Sequence, residues 1–291
     1  MFKYLGYIFT LLFIFSVSLE ARSLLYKINS RTSTVYVLGS IHLAKPEIYP
    51  LSKAITHAYR NSDVLVLELD PTSAESAKSI QESMLSSGMY SANKSLKTEL
   101  SKKTYNELKK YMTKTGMALE PMQKMRPWIV VLQLSVVEMM RLGYSPELGI
   151  DQHFLKQAKQ DHKEIVELET AQQQMALLAK DDKSFQDKLL FYTLKDMKEL
   201  EPMLDDMFRA WKKGDASAFD KIMSKSLEDD ASLIEIYDDI IIKRNYAMTS
   251  RIEDFLKTKK DYFVVVGSGH VVGKEGIIAL LQKAGHKATQ Y

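Results

Sequence analysis

The strongest indication of the fold is the stretch FVVVGSGH (Phe263–His270), in which an apolar run breaks at glycine just before a histidine. Nearly the same pattern occurs near the start of the chain, as YVLGSIH (Tyr36–His42). Each copy is typical of a buried strand that ends in a sharp turn, because glycine tolerates backbone conformations that other residues avoid. The repetition predicts two similar strand ends that each carry a histidine.

The segments after the first copy indicate an α/β fold. Leu51, Ile55, Ala58 and Tyr59 occur at helical spacing, and the apolar run DVLVLELD (63–70) follows them. Strand, helix and strand in this order form a βαβ unit, whose parallel strands are buried on both faces and therefore look continuously apolar. We therefore expect a mostly parallel sheet.

The rest of the chain predicts additional strands and two helical regions. A hairpin should turn at 29–32, a helix capped by Asp151 should precede a strand at Glu164–Glu169, and the last residues should form an edge strand. Helices should fill about 71–145 and 171–258, with glycines ending two of them and a buried helix at Trp128–Met140. The predicted fold class is α/β: a mostly parallel mixed sheet core with flanking helices and a large helical insertion.

Composition excludes several classes of function. The chain has 291 residues, 45% of them hydrophobic, so it can bury a substantial core. Its 40 basic and 37 acidic residues are interleaved, which argues against nucleic acid as a partner. The absence of cysteine excludes disulfides, zinc sites with cysteine ligands, thiol nucleophiles and a lipoprotein-type lipid anchor.

The first residues have the pattern of a secretory signal. Lys3 precedes an apolar run from Tyr4 to Val17, and small residues follow near Ser18. The run has about 14 residues, fewer than the roughly 20 that span a bilayer as a helix. We expect residues 1–21 to be a signal peptide and residues 22–291 a single exported domain, periplasmic or secreted; the alternative is a retained N-terminal membrane anchor.

Polar side chains follow four of the predicted strands. They include His42, Glu68, Glu169 and His270. Because ligands bind beyond the carboxyl ends of the strands in an open parallel sheet, these side chains should share one rim. Imidazoles and carboxylates are suitable ligands for a divalent ion, and metal-activated water is the natural nucleophile in a chain without cysteine.

The order of motifs along the chain resembles that of the TraB/GumN family. The matching motifs are GSIH, ELD, RPW, GIDQHFL, VELETAQQQ, AWKKGD, RN and VVVGSGHVVG. The similarity runs from about Leu24 to Ala288, which is nearly all of the chain after the predicted signal. The family is related to the Tiki metalloproteases and to the erythromycin esterase and ChaN haem-binding folds, so the resemblance implies a metal-dependent hydrolase of a metallopeptidase type. Together with the predicted signal peptide, this gives an exported enzyme.

The resemblance also implies roles for individual residues. His42 and His270 would be metal-site residues, and Glu68 the carboxylate between them in the sequence. Arg244 and Asn245 fall on the Arg-Asn motif of the family, where they would stabilise a substrate carbonyl or order the surroundings of the metal. The spacing leaves open whether Glu68 is a metal ligand or a general base. The ligand set favours manganese or cobalt, with zinc also compatible.

Three other residues are weaker candidates. Asp70, Glu169 and Arg126 each have an ordinary structural explanation, as a turn opener, a helix cap and a helix-start ion pair. Lys243 stands where the family often has an acidic residue before the Arg-Asn pair. The remaining histidines should lie outside the site; they are His57, His153, His162 and His286.

Two other functions use the same pocket without a metal-activated water. One is a binding protein that sequesters a peptide or haem. The other is an esterase that uses a histidine as general base. Sensitivity to a chelator separates the metal-dependent hydrolase from a metal-free esterase and a metal-free peptide binder. The sequence does not identify the peptide or small-molecule substrate.

Overall fold

The computed structural model describes residues 23–229 and 233–291. The predicted signal peptide, and with it any N-terminal anchor, lies outside the described residues. Within them, no helix is both long and apolar enough to cross a bilayer.

A six-stranded sheet and surrounding helices make up the described fold. The strands are β1 (Leu25–Asn29), β2 (Thr34–Ser40), β3 (Val64–Leu67), β4 (Glu164–Glu167), β5 (Tyr262–Gly267) and β6 (Ala288–Gln290). The helices are α1 (Lys53–Arg60), α2 (Ala74–Ser87), α3 (Leu96–Glu99), α4 (Lys102–Thr115), α5 (Pro127–Arg141), α6 (Ile150–Gln160), α7 (Ala171–Leu178), α8 (Lys183–Asp196), α9 (Leu200–Lys213), α10 (Ala216–Asp229), α11 (Ile234–Tyr237), α12 (Lys243–Phe255), α13 (Ser268–Val271) and α14 (Ile277–Lys283). A π-helical segment, Asp238–Ile242, joins α11 to α12.

The sheet confirms the predicted mixed, mostly parallel core. Its strand order is β4-β3-β5-β2-β1-β6. The first four strands in this order are parallel, whereas β1 is antiparallel to both β2 and β6. The predicted βαβ unit is present, but its strands β2 and β3 are not neighbours, because β5 from the C-terminal part of the chain lies between them.

Alternating residues of the central strands fill two hydrophobic layers, one on each face of the sheet. On one face Leu38, Leu65 and Phe263 pack with residues of α1, α6 and α9. On the other face Val37 and Val264 pack with residues of α12 and α14. Burial on both faces explains the continuous apolar runs in the sequence. It also fixes the sheet rigidly beneath the turns that follow the strands.

The first helical region and α8 of the second region share a hydrophobic core. This core is built from α4, α5 and α8, with Leu108, Leu134 and Leu190 among its fully buried residues. The prediction of an entirely buried helix at Trp128–Met140 is wrong for one face of α5, since Met140 on that face is exposed. The helix is apolar on most of its circumference, so its composition does not show which face is exposed.

The two predicted glycine helix ends are confirmed, whereas the predicted helix cap at Asp151 is wrong. Gly116 and Gly214 end α4 and α9 with left-handed φ of 70° and 64°, a conformation that glycine adopts readily. Asp151, predicted to cap a helix, instead lies in the first turn of α6, and Gly149 occupies the cap position. Its carboxylate is therefore free to reach across to another segment.

Candidate functional site

The two glycine-histidine turns lie side by side. In the parallel pairing of β2 with β5, Gly39 is opposite Val266 and Ser40 is opposite Gly267. The Ser268 hydroxyl donates to the Ser40 carbonyl at 2.9 Å. A Cβ on Gly39 would lie only 2.8 Å from Ser268 Oγ, so the close approach of the turns requires glycine at this position.

A small cradle at Gly267 brings together three of the predicted site residues. A Cβ built on Gly267 would lie 3.1 Å from His42 Nε2, 3.3 Å from Glu68 Oε1 and 3.7 Å from His270 Cδ2. The Gly267 N–H also donates to Glu68 Oε1 at 2.6 Å. Both histidine rings therefore face one carboxylate across a space that only glycine leaves open.

Arg244 joins the site by bridging two carboxylates. Its Nη2 lies 2.5 Å from Glu68 Oε2 and 2.6 Å from Glu169 Oε2, while its Nε donates to Glu169 Oε1 at 2.8 Å. A further donation goes from Nη1 to the Ile240 carbonyl. The Arg244 side chain is 14% exposed, so this ion-pair network is largely withdrawn from water. Glu169, a weaker candidate in the sequence, is thus placed in the site.

The π-helical segment Asp238–Ile242 ends two residues before Arg244. A π-helix rotates the residues that follow it relative to a continuous α-helix, and such segments are frequent at functional sites. Arg244 then reaches the carboxylates while its neighbour Asn245 reaches His270. Lys243, which replaces the acidic residue expected from the family, points to other partners and pairs with Asp238 and Asp239.

His270 is held in one orientation by an amide. Asn245 Nδ2 donates to the Glu275 carbonyl at 2.8 Å, which leaves Asn245 Oδ1 to accept from His270 Nδ1 at 2.7 Å. The proton of the neutral ring is therefore on Nδ1, and Nε2 carries a lone pair directed toward Glu68, 3.9 Å from its Oε2. Burial lowers the pKa of His270 to about 4, so the ring is neutral near pH 7.

His42 is held by a carboxylate instead. Its Nδ1 lies 2.9 Å from Asp151 Oδ1, and its side chain is 56% exposed. The protein around the ring partly desolvates it and so disfavours the charged form, but the hydrogen bond and charge of Asp151 and the charge of Glu68 outweigh this effect and raise the pKa of His42 to about 9. The two histidines thus differ in charge and in access to water.

Glu68 is ionised under all ordinary conditions. Burial favours its neutral form, but the charges of His270, His42 and Arg244 and the Gly267 N–H lower its pKa to about 2. Since His270 is charged only below its own pKa, His42, Arg244 and the Gly267 N–H are the partners that lower the pKa of Glu68 near neutral pH.

Other predicted candidates lie outside the cradle. Asp70 pairs with Lys159 at 3.0 Å, and Arg126 pairs with Asp181 at the start of α5. The remaining histidines have other surroundings: for example, His153 packs against Tyr49.

Sequence reasoning missed two residues of the site. Asp151 was interpreted as a helix cap, and Gln174 was not singled out at all. Gln174 Nε2 donates to Glu169 Oε2 at 3.0 Å and lies 3.4 Å from Glu68 Oε2. Asp151 lies in the motif GIDQHFL and Gln174 in the motif VELETAQQQ. Both motifs carry the family resemblance, and this resemblance was the sequence feature that could have identified the two residues.

Apolar side chains border the second turn. A Cβ on Gly269 would lie 3.0 Å from Met223 Cε of α10 and 4.0 Å from Ile241 Cδ1 of the π-helical segment. These side chains come from the second helical region. They place hydrophobic surface beside His270.

The donor atoms fit a divalent metal ion in their chemistry. Each histidine has its Nδ1 held by an oxygen acceptor, the arrangement usual for imidazoles that bind a metal through Nε2. Both rings border the Gly267 cradle, which is also next to Glu68 Oε1. Among residues 23–229 and 233–291, however, no three His, Asp or Glu side chains stand already arranged as a metal-binding group, and Glu68 is shared with Arg244.

Comparisons with known proteins agree on one family. The model of the TraB/PrgY/gumN family matches residues 24–290. Over 248 residues the chain is 24% identical to a protein of Escherichia coli (strain K12) named "Uncharacterized protein YbaP", covering 85% of this chain and 87% of that protein. A protein of the same name from Shigella flexneri shows the same identity and coverage. No solved structure matches the chain at comparable significance.

Proposed function

The chain belongs to the TraB/PrgY/gumN family, and from this membership and its paired histidine turns we propose that it is an exported metal-dependent hydrolase acting on peptides. The observation that carries the proposal is the Gly267 cradle, where His42 Nε2, Glu68 Oε1 and the His270 ring border one small space. Two imidazole nitrogens and a carboxylate are a common ligand set of catalytic metal sites. His270 is already neutral, whereas His42 would have to release a proton when it binds the ion.

His42, His270 and Glu68 would hold the ion, with manganese or cobalt favoured and zinc compatible. A bound divalent ion supplies Lewis-acid polarisation of a carbonyl and lowers the pKa of water. Asp151 and Asn245 would act as positioning residues, because each fixes the ring whose Nδ1 it accepts from. The amide of Asn245 already has partners at both ends, which favours this role over direct contact with a substrate carbonyl.

The positive charge of Arg244 would stabilise negative charge that develops during the reaction. Arg244 is the cation nearest Glu68 and Glu169, and its contact with Glu68 places a fixed positive group at the rim. A positive group preorganised beside a reacting carbonyl stabilises developing negative charge there. The apolar surface of Met223 and Ile241 beside the turn would suit a hydrophobic side chain of a peptide.

A second candidate is a metal-free protein that binds a peptide, because Arg244 already neutralises Glu68. A carboxylate committed to an arginine gains less from a metal ion than an unpaired one. This candidate keeps the pocket and its rim but needs neither a metal nor turnover.

The test combines metal content with turnover. The purified chain from residue 22 onward, its His42→Ala/His270→Ala variant and a matched His57→Ala/His286→Ala control would be loaded separately with manganese, cobalt and zinc and measured by elemental analysis. The same samples would be assayed on a mixture of unstructured peptides by mass spectrometry, with and without a chelator.

The hydrolase proposal predicts about one metal ion per chain and peptide cleavage in the wild type and the control, both lost in the site variant. Cleavage should also stop with chelator and return with metal. Peptide binding without cleavage, unaffected by chelator, would support the metal-free binding protein instead. Cleavage that resists chelation would support the metal-free esterase-like mechanism.

A further inference from the structure

A cavity lies between the first helical region and the start of α8, and it shares no lining residue with the Gly267 cradle. Its volume is about 340 Å³. The loop after α2, the start of α5 and the start of α8 form its walls, with Tyr90, Arg126 and Lys183 among the lining residues. This volume is within the range of pockets that bind small molecules. We refer to it as the Arg126 cavity.

Arg126 is a buried cation with an incomplete set of partners. Its side chain is 17% exposed and pairs through Nη2 with Asp181, whose own side chain is 91% exposed. Its Nε is buried and has no acceptor within the described residues. A buried donor without an acceptor is costly, so the site as it stands leaves hydrogen-bonding capacity unused.

The unused capacity has a definite geometry. The Nε–H and one Nη2–H of a guanidinium point the same way and form a fork that matches the two oxygens of a carboxylate. Asp181 contacts the Nη2 side of this fork with one oxygen. A carboxylate from a ligand that occupied both positions would satisfy Nε and release Asp181 to water, where an exposed carboxylate is well solvated.

The charges around the cavity favour an anion once Asp181 has left it. Three cations and three carboxylates line the cavity, so release of Asp181 to water would leave the cations in excess by one charge. Lys94 and Lys183 share one of the remaining carboxylates, Glu99, at 3.8 Å each. Asp187 lines the cavity too, but its oxygens already accept from the Ser101 N–H at 2.7 Å and from a threonine hydroxyl.

The remaining wall is suited to an apolar body. Met89, Leu100 and Pro127 line the cavity beside the cations. The Tyr90 ring lies 6.0 Å from the centre of the Arg126 guanidinium. A ligand with a carboxylate at one end and a short hydrocarbon or aromatic group at the other would complement both walls.

We propose that the Arg126 cavity is a binding site for a small monocarboxylate with an apolar body. The carboxylate binds side-on to Arg126 in place of Asp181, and the apolar body packs against Met89 and Leu100. The RPW motif, which the hydrolase proposal does not use, thereby gains a function: its arginine is the anchor and its proline part of the wall. The site is independent of the proposed hydrolase and stands whether or not that function is correct.

The test uses hexanoate as the probe and hexanamide as its uncharged counterpart. Both would be titrated into the chain from residue 22 onward, labelled with ¹⁵N, and followed by chemical-shift changes. Hexanoate should bind the wild type saturably. Hexanamide should bind the wild type about tenfold or more weakly than hexanoate does, and hexanoate should bind the Arg126→Gln variant with a similar loss, because in each case the charge-assisted pair of hydrogen bonds is lost.

The Asp181→Asn variant tests most directly whether Asp181 competes with the ligand for Arg126. It keeps Arg126 and removes the competing internal carboxylate, so hexanoate should bind about two- to fivefold more tightly. Asp206→Asn, which removes a surface carboxylate elsewhere on the chain, should leave hexanoate affinity unchanged. Because Asp181 is exposed, this variant also keeps the test decisive if Arg126→Gln fails to fold.

Equal binding of hexanoate and hexanamide would overturn the proposal, since the cavity would then recognise only the apolar body. Unchanged or weaker hexanoate binding by Asp181→Asn would overturn it as well, since Asp181 would not compete with the ligand. Absence of saturable hexanoate binding by both wild type and Asp181→Asn would equally reject the site.

Discussion

Asp151 Oδ1 lies 2.9 Å from His42 Nδ1, although 109 residues separate the two in the sequence. The contact links the first turn of α6 to the turn after β2. It sets the orientation of a partly exposed ring whose Nε2 faces the Gly267 cradle, and it gives His42 a charged partner where His270 has an amide.

Replacement of Asp151 by Asn should weaken metal binding by about 10- to 100-fold, the usual effect of removing the partner of a metal-binding histidine. The amide can still accept a hydrogen bond from Nδ1, but it carries no negative charge to make the ring a stronger ligand. Metal dissociation constants for wild type and Asp151→Asn would measure the effect. Asp254→Asn, a change at an exposed residue, is the control, and equal affinity in all three proteins would contradict the role of Asp151.

The same variant should change the titration of His42 in the metal-free protein. Asp151 is the main group that raises the pKa of His42 to about 9, so in Asp151→Asn the pKa should fall toward or below its ordinary value. Histidine ring resonances followed by NMR from pH 5 to about 10 would measure it. A His42 pKa that stays near 9 in the variant would mean that other charges control it.

Arg244 should contribute to the stability of the fold as well as to the site. Replacement by Met leaves Glu68 and Glu169 without their shared cation, and breaking a buried pair in this way typically lowers the free energy of unfolding by about 3–5 kcal/mol. Adding Glu169→Gln to Arg244→Met should recover about 1–3 kcal/mol, because one uncompensated charge is removed. Urea unfolding of the wild type, both single variants and the double variant would measure the coupling, and strictly additive effects would show that the two residues do not interact.

If the proposed metal site is present, replacement of Gly267 by Ala should prevent metal binding without unfolding the chain. The backbone at Gly267 has φ −52° and ψ 137°, which alanine adopts freely, but the added methyl group would lie 3.1 Å from His42 Nε2. The Gly267→Ala variant should therefore bind no metal, while its melting temperature stays close to that of the wild type. In the control Gly116→Ala the methyl group meets nothing within 4 Å but φ is +70°, so stability should fall while metal is retained.

Asp70 should contribute stability that is lost in acid. Burial of Asp70 favours the neutral acid, but hydrogen bonds from Thr72 and Lys159 lower its pKa below the ordinary value. A folded-state pKa below the unfolded one, which is about 3.9, gives stability that is present above about pH 4 and is lost as the pH falls through the folded-state value. The free energy of unfolding from pH 7 to pH 3 should fall less steeply in Asp70→Asn than in wild type or Asp206→Asn; parallel curves would contradict the prediction.

Much of the fold could be predicted from local pattern. The runs around Val37, Val66 and Val264 are continuously apolar because both faces of those strands are covered, and this made the strands visible in the sequence. The position of β5 between β2 and β3 was not visible, since strand order depends on which edges meet after long crossovers. The exposure of Met140 was missed because hydrophobicity does not reveal whether a helix face has a neighbour.

The candidate site likewise contains residues that the sequence predicts and residues that it does not. His42, Glu68 and His270 follow apolar strands, so the rule that parallel strands present their ends at one edge was enough to place them together. Asp151 and Gln174 lie on helices, where their local pattern is equally that of a capping or surface residue. Their roles depend on where α6 and α7 pack against the sheet, which spacing along the chain does not encode.

The position of β5 between β2 and β3 also determines when the sheet can fold during synthesis of the chain. Until Tyr262–Gly267 has been synthesised, β2 and β3 each lack a hydrogen-bonding neighbour on the side that β5 will occupy. Contacts between segments so far apart in sequence form slowly, and open strand edges can pair with other chains in the meantime. A chain truncated before β5 would therefore lose both the centre of its sheet and the second histidine turn, and would aggregate rather than persist as a partly active protein.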